Sequence, residues 1–313
     1  MDLPINRTLA TEVILLGFPQ DFIINVALFL FFSVVYLVTI VGNGFMVCVI
    51  VLSRHLHTPM YFFLGNLSFI DIIYSSRTLP KLLTDLLSSS RTISLTACGF
   101  QAYAAVFLGS TECLLLALMA YDRYVAICRP LNYVIVMRWS ICYRLTAIVW
   151  ASAFTLTVVL ALLLPVKLCN PNQINHFACE VLPAIKLSCD STDKIEIVLS
   201  SVSFITIFFP FAFILLSYIV ILSSVLKIHS AARSKAFSTC SSHITVVALF
   251  YGTLLVIFAV PPKYTSAQEK YTSIFTSILI PMINPLTYSL KNKDVNKIFV
   301  MKSGKIPRFH SHG

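Results

Sequence analysis

The stretch MAYDRYVAIC, residues 119–128, sets an acid and a base side by side at the end of an apolar run. From Thr96 to Tyr121 the single charged residue is Glu112. A bilayer core takes about 20 residues of helix. A run this long and this poor in charge reads as a membrane span. The pair Asp122-Arg123 then marks where the chain returns to the interface, since an arginine at a span's end can snorkel to water or pair locally.

Working outward, the whole chain has the composition of a membrane protein. Of its 313 residues 58% are hydrophobic and 12% charged, and its mean hydropathy is +0.85. Soluble domains carry about 25% charged residues; a chain with so few could not cover a water-facing surface. Seven apolar runs are long enough to cross, at about 22–52, 58–80, 96–121, 142–166, 197–226, 237–262 and 270–290. Strands of a membrane barrel would be shorter and alternating. No repeat of 20–50 residues and no low-complexity linker divides the chain, so residues 1–313 read as one domain. Residues 1–21 lack a basic start and an apolar core; no cleavable leader is expected, and the first span serves as the targeting signal.

Charge sets the orientation. With the N-terminus outside, the inner side holds Arg54, Arg123, Arg129, Arg138, Arg144, Lys227, Arg233, Lys235 and the bases from Lys291 to Arg308, fourteen of the 23 Lys and Arg. The acids outside the spans lean the other way, with Asp122 and Asp294 on the inner side. The positive-inside rule then predicts an all-α membrane protein, a seven-transmembrane helix bundle with its N-terminus outside and its C-terminus inside. Residues 1–21 become an extracellular tail and 291–313 a cytoplasmic one. The net charge of +10 follows from topology and needs no nucleic acid. Asn6-Arg7-Thr8 is a glycosylation sequon on the outer tail. Asn66-Leu67-Ser68 also matches but falls within a span.

Nine cysteines divide by depth. Cys48, Cys113, Cys128, Cys142 and Cys240 fall in spans or on the reducing side. Cys98, Cys169, Cys179 and Cys189 fall outside, and four cysteines allow three pairings. Cys98 sits at the outer tip of the third span and the other three share one loop, so any full pairing pins that loop to the third helix. Cys98–Cys179 with Cys169–Cys189 is the arrangement symmetric within the loop. A zinc site competes, but no C-x-x-C spacing supports it.

Five motifs fall in order along the chain: Leu56–Leu64 (LHTPMYFFL), Met119–Cys128 with Pro130-Leu131-Asn132-Tyr133 behind it, Ser217-Tyr218, Lys235–His243 (KAFSTCSSH) and Pro281–Asn292 (PMINPLTYSLKN). Together they resemble the vertebrate olfactory receptors, within the rhodopsin-like (class A) G protein-coupled receptors. Gly65, Ile244 and Thr287 depart from the usual residues, and none of the three is a charged or switch position. The long outer loop with three cysteines also fits. A non-olfactory chemosensory receptor is the alternative.

The resemblance implies roles. Asp122 holds Arg123 at rest, and Arg123, with Tyr124, is freed to meet a G protein on activation. Asn284-Pro285-x-x-Tyr288 resembles the seventh-helix hinge, and Tyr218 has a similar task on the fifth span. The expected partner inside is a stimulatory G protein of the olfactory type, raising cyclic AMP. Pro210, Pro281 and Pro285 lie inside the fifth and seventh spans, where proline frees a carbonyl and bends a helix. Asp71 and Glu112 are carboxylates inside the membrane, a costly position that points inward. Beside Asn43 and Asn284 they could hold a sodium ion, since hard cations take oxygen ligands, or share a proton.

A ligand site is expected in the outer half of the bundle, between helices. The third span offers Tyr103, Ala105, Val106, Gly109 and Ser110; the fifth Val202, Ser203, Thr206 and Ile207; the sixth Tyr251, Leu254, Leu255 and Phe258; the seventh Ile274 and Ser277. This lining is apolar with a few hydroxyls. No acid lies on the outer part of the third span, and Lys263 lies near a loop, so a small, neutral, largely apolar volatile is the expected ligand. Enzymes are disfavoured: H-E-x-x-H, G-x-S-x-G and P-loop sequences are missing, as is the G-x-G-D of intramembrane aspartyl proteases. A transporter would show internal repeats. No cofactor is expected beyond a possible sodium ion.

Overall fold

The computed structural model describes residues 11–163, 172–185, 187, 193–227, 230–259 and 265–291, with the backbone alone at 193–196, 230–239, 257–259, 265–268 and 289–291. Seven helical rods run through it. They are α1 (Phe22–Leu52), α2 (Pro59–Leu87), α3 (Leu95–Cys128), then, after a one-turn α4 (Tyr133–Val136), α5 (Trp139–Leu163). A short α6 (Val181–Ile185) precedes a fifth rod made of α7 (Asp193–Ser203), a π turn (Phe204–Phe208) and α8 (Phe209–Val225). The sixth rod is α9 (Ser230–Ala259). The seventh joins α10 (Thr265–Ile274), a second π turn (Phe275–Leu279) and α11 (Ile280–Lys291).

Local chemistry sets several rod ends. The Asp21 carboxylate accepts from Ile24 N–H at 3.0 Å and opens α1; the Ser94 hydroxyl accepts from Ala97 N–H at 3.3 Å and opens α3. Each satisfies one of the amide donors that a helix start leaves unpaired. Pro59 opens α2, where a missing N–H costs nothing. Pro130 follows Arg129, the residue that closes α3. Two rods run well past the far end of their expected spans. α2 continues past Pro80 to Leu87, supported by the Lys81–Asp85 ion pair one turn on. α3 continues past Asp122-Arg123 to Cys128.

The burial pattern is inverted relative to a soluble protein. Phe22, Leu52 and Leu162 are 81%, 72% and 76% exposed, while Thr39, Asn43, Asp71, Thr111 and Asn284 are buried. Apolar side chains at the periphery need hydrocarbon, and polar ones need the partners a bundle interior supplies. Among the described residues α1, α3, α5 and Ile197–Val225 are long and apolar enough to cross a bilayer, and Cys240–Val256 is a shorter apolar stretch. The main core runs from Met46 and Leu67 through Leu115 and Met119 to Ile221 and Tyr251, with α3 packed along both α5 and α8.

Both π turns have the same cause. Each ends two residues before a proline, Pro210 or Pro281. Proline brings no N–H and crowds the carbonyl four residues back. The backbone widens instead: Phe209 N–H bonds Phe204 C=O, and Ile280 N–H bonds Phe275 C=O, each five residues apart.

The all-α expectation needs one correction. A three-stranded sheet caps the end of the bundle that carries Cys98, in the order β2 (Thr92–Ser94), β1 (Glu12–Leu15), β3 (Gln173–Ile174). β1 runs antiparallel to β2, with Val13 opposite Ile93, and parallel to β3, with Leu15 opposite Ile174. Strands of two to four residues leave little periodicity in a sequence. They persist here because Val13, Leu15 and Ile174 bury against the disulfide between Cys98 and Cys179, whose Cα atoms lie 5.2 Å apart. Arg91 ties the cap down by donating to Leu16 C=O at 2.8 Å and to Asp85 C=O at 3.1 Å.

Candidate functional site

Functional groups gather at three depths. At the end of α3 away from the disulfide, Asp122 is fully buried and Arg123 nearly so. Arg123 donates to Asp122 Oδ2 from Nε at 3.0 Å and from Nη2 at 2.5 Å. The other carboxylate oxygen, Oδ1, accepts from the Tyr133 hydroxyl at 2.9 Å. Burial and the neighbouring Asp122 carboxylate push the Tyr133 phenol well above its ordinary range, so it stays a donor. Tyr124 carries the Arg129 guanidinium 5.8 Å from its ring centre. Across the bundle the Tyr218 hydroxyl lies 2.6 Å from His243 Nδ1, and both residues are buried. Spacing alone could not reveal either partner: Tyr133 and His243 stand in the quoted motifs, but their contacts are made between elements.

At mid-depth sits a polar core. Pro285 has no N–H, so Pro281 C=O, four residues earlier, has no helical donor. Asn43 Nδ2 fills the gap, donating to Pro281 C=O at 2.9 Å and to Thr39 C=O at 3.0 Å. Gly42 lets α1 approach: a Cβ there would meet Pro285 Cγ at 3.2 Å. Asn284 Nδ2 donates to both Asp71 oxygens, at 3.0 and 3.2 Å. Three buried acceptor oxygens remain without a hydrogen bond, Asn43 Oδ1, Asn284 Oδ1 and Glu112 Oε1, as does the Tyr288 hydroxyl. Carboxylate and amide oxygens of this kind are the ligands a hard cation takes. Among the described residues no group of three or more His, Cys, Asp or Glu side chains gathers around one point. Tyr288 is buried here too.

Nearer the disulfide end, two continuous chambers open between the rods, of about 570 and about 180 Å³. They share Tyr74, Ala105, Val106, Leu199, Ser203, Ile207, Leu254 and Thr276. The deeper one adds Gly109, Ser110, Val202 and Thr206. So the rows chosen on the third and fifth rods meet in one cavity, Tyr103 excepted.

The sixth and seventh rods present other faces. Phe250 and Leu254 line the cavity. Tyr251, one position on from Phe250, stacks on Phe211 at 4.7 Å, and Leu255 is 44% exposed on the outside. The Phe258 side chain lies outside the described residues. On the seventh rod Ser273 and Thr276 face the cavity. Ile274 packs in the cluster of Phe32 and Leu79, and Ser277 is buried beside Ser273. Ile274 and Ser277 have the same three-residue spacing as Ser273 and Thr276, so the expected row has the right period and lies one position off the face that packing turns inward.

Carboxylates are the largest departure from an apolar lining. Glu112 lines the deeper chamber, and Glu180 and Glu269 line the outer one. Glu180 follows Cys179 directly, so the disulfide carries it to the mouth, where it accepts from the Ser273 hydroxyl. Extending the α3 row by one turn each way would have found Ala102 and Cys113. Glu180 leaves no such trace, because a loop delivers it.

Two sequence features resolve differently. Asn66, in the second sequon, accepts from Trp150 Nε1 at 3.2 Å and donates to Phe62 C=O at 2.9 Å, inside the bundle. Asn6, Cys169, Cys189 and the tail at 292–313 lie outside the described residues.

The bundle is that of a rhodopsin-type receptor. It superposes on squid rhodopsin with a TM-score of 0.72, covering 91% of this chain and 82% of that one at 19% identity. An olfactory receptor family model matches residues 32–303. The chain is 44% identical to human olfactory receptor 2A5 over 93% of its length and 94% of the relative's, and 43% identical to human olfactory receptor 2K2 over 98% of each. Mouse olfactory receptor 2A7 is 45% identical over 93% and 94%. The chain belongs to the olfactory receptor family. It is a multi-pass receptor of the plasma membrane and not an enzyme, with an odorant as ligand and a G protein as partner.

Proposed function

We propose that this receptor binds a small, largely apolar volatile in the paired chambers and activates a stimulatory, olfactory-type G protein, raising cyclic AMP. The observation that carries the reading is the cavity itself. Its walls on α3 and the fifth rod are apolar with scattered hydroxyls, and it opens toward the disulfide cap while the Asp122–Arg123 pair lies at the opposite end. Ligand and G protein would then occupy opposite ends, and the ligand acts by binding the active bundle more tightly than the resting one. The distribution of Lys and Arg supports an extracellular N-terminus and cap and a cytoplasmic C-terminus. The experiment is a cyclic AMP assay in cells expressing the chain against a panel of volatiles. A response is expected, and Arg123→Ala should abolish it with surface staining unchanged. A response that survives Arg123→Ala would remove the switch role.

We also propose that Asp71, with Asn43, Asn284 and Glu112, holds a sodium ion in the resting state. The three unpaired oxygens support this reading. Replacing sodium by N-methylglucamine should raise ligand affinity about 5- to 150-fold, since coupling energies between sites run about 1–3 kcal/mol. Asp71→Asn should flatten the dependence; an affinity indifferent to sodium in the parent receptor would exclude it.

A further inference from the structure

The expected ligand is neutral because no acid lies on the outer third span, yet three carboxylates reach the cavity from elsewhere. Resting on the reading of this cavity as the odorant site, we infer that the ligand is a small aliphatic amine, held by its ammonium at Glu112 on the cavity floor and led in past Glu180 and Glu269 at the mouth.

The floor carries the argument. Glu112 is 4% exposed, lines the deeper chamber, and its Oε1 has no hydrogen-bond partner. An acceptor left unpaired in a low-dielectric site is costly. Once the resting-state sodium ion has left, an apolar ligand or an ester would seal Glu112 off from water and leave that oxygen unpaired. An ammonium brings three donors and a positive charge, and a charge-assisted bond is roughly twice as strong as a neutral one. The Ser110 and Thr206 hydroxyls line the same chamber. Among the described residues no lysine or arginine lines either chamber.

Among the described residues the cations near the cavity, Arg77 and Lys270, do not line it, and Arg77 keeps Nε and Nη2 unpaired. Arg77 donates to Gln101 C=O at 2.7 Å, and its guanidinium lies 5.1 Å from the Tyr74 ring centre. Tyr74 itself is part of the lining. Lys270 donates to Gly17 C=O at 2.6 Å and Asn175 Oδ1 at 2.7 Å, tying the cap together. A mouth flanked by carboxylates raises the local concentration of cations and disfavours carboxylate ligands. The chain's net charge is positive, so this preference belongs to the cavity and not to the molecule. The remaining walls are apolar and would take the alkyl body.

The test uses full-length receptor in nanodiscs and three probes of equal length: n-hexylamine, n-hexanol and hexanoic acid. Thermal stabilisation against probe concentration gives affinity without any coupling step. Hexylamine is expected to bind at least tenfold more tightly than hexanol, with hexanoic acid weakest. Glu112→Gln should erase the preference and Glu112→Asp should keep most of it. Should Glu112→Gln fail to fold, Glu180→Gln with Glu269→Gln is read instead, and should weaken hexylamine severalfold while leaving hexanol unchanged. Hexanol binding as tightly as hexylamine, no stabilisation by hexylamine, or a preference that survives these variants would overturn the assignment. Amine-selective stabilisation without a cyclic AMP response would count against the signalling reading alone.

Discussion

Tyr133 Oη and Asp122 Oδ1, 2.9 Å apart, show how one hydrogen bond can bias a receptor. Asp122 has two oxygens; Arg123 takes one and Tyr133 the other. The Tyr133 bond orients the carboxylate that restrains Arg123. A net hydrogen bond is worth about 1 kcal/mol, roughly a fivefold change in an equilibrium. Tyr133→Phe should therefore raise ligand-independent cyclic AMP about two- to fivefold at equal surface expression. An unchanged basal level would show that the bond is made equally in both states.

Among elements, the seventh rod depends on the first. Pro285 orphans Pro281 C=O, and Asn43 on α1 replaces the missing donor. Asn43→Ala should cost about 1–3 kcal/mol, the price of an unsatisfied buried acceptor. Pro285→Ala restores an N–H within α11. In that background Asn43→Ala should cost less, and the double-mutant cycle in thermal unfolding measures the difference. Strict additivity would mean that Asn43 stabilises through some other contact. The π turns belong to this scale as well. They were legible as prolines in apolar runs, but not as changes of face, because the widened turn answers to a local hydrogen-bond choice and not to hydrophobic periodicity. Ser273 and Thr276 line the cavity while Ile274 and Ser277, one position on at the same spacing, turn from it, because packing against the neighbouring rods sets which face looks inward.

For the whole molecule, the cap joins distant segments: β1, β2, β3, the disulfide and the contacts of Lys270. Buried in it is His176, whose Nδ1 lies 2.8 Å from Ala178 C=O. Burial lowers its pKa from the ordinary 6.5; the Glu180 carboxylate and the Ala178 carbonyl oppose the shift, and Lys270 and Arg77 add to it. Folded His176 holds a proton less tightly than it does in an unfolded cap, which takes one up below about pH 6.5. Cap stability should then be full above that pH and fall as the medium acidifies, until the folded value is passed. Hydrogen exchange over residues 172–180 at pH 7.5 and 5.5 checks this, and His176→Gln should flatten the difference. Faster opening at the higher pH would contradict the sign.

The sequence by itself determined the solvent, the seven rods, the family, the Asp122–Arg123 pair and the cavity walls on α3 and the fifth rod. Each follows from composition, run length, motifs or a regular helical period, properties carried by neighbours along the chain. Only the tertiary structure decided the three-stranded cap, the partners Tyr133 and Asn43, the cavity faces of α9 and the seventh rod, and the arrival of Glu180 at the mouth. These depend on contacts across tens to hundreds of residues, and 238 separate Asn43 from Pro281. Unpaired backbone groups and a disulfide decide such contacts, and they act only once the rods have packed.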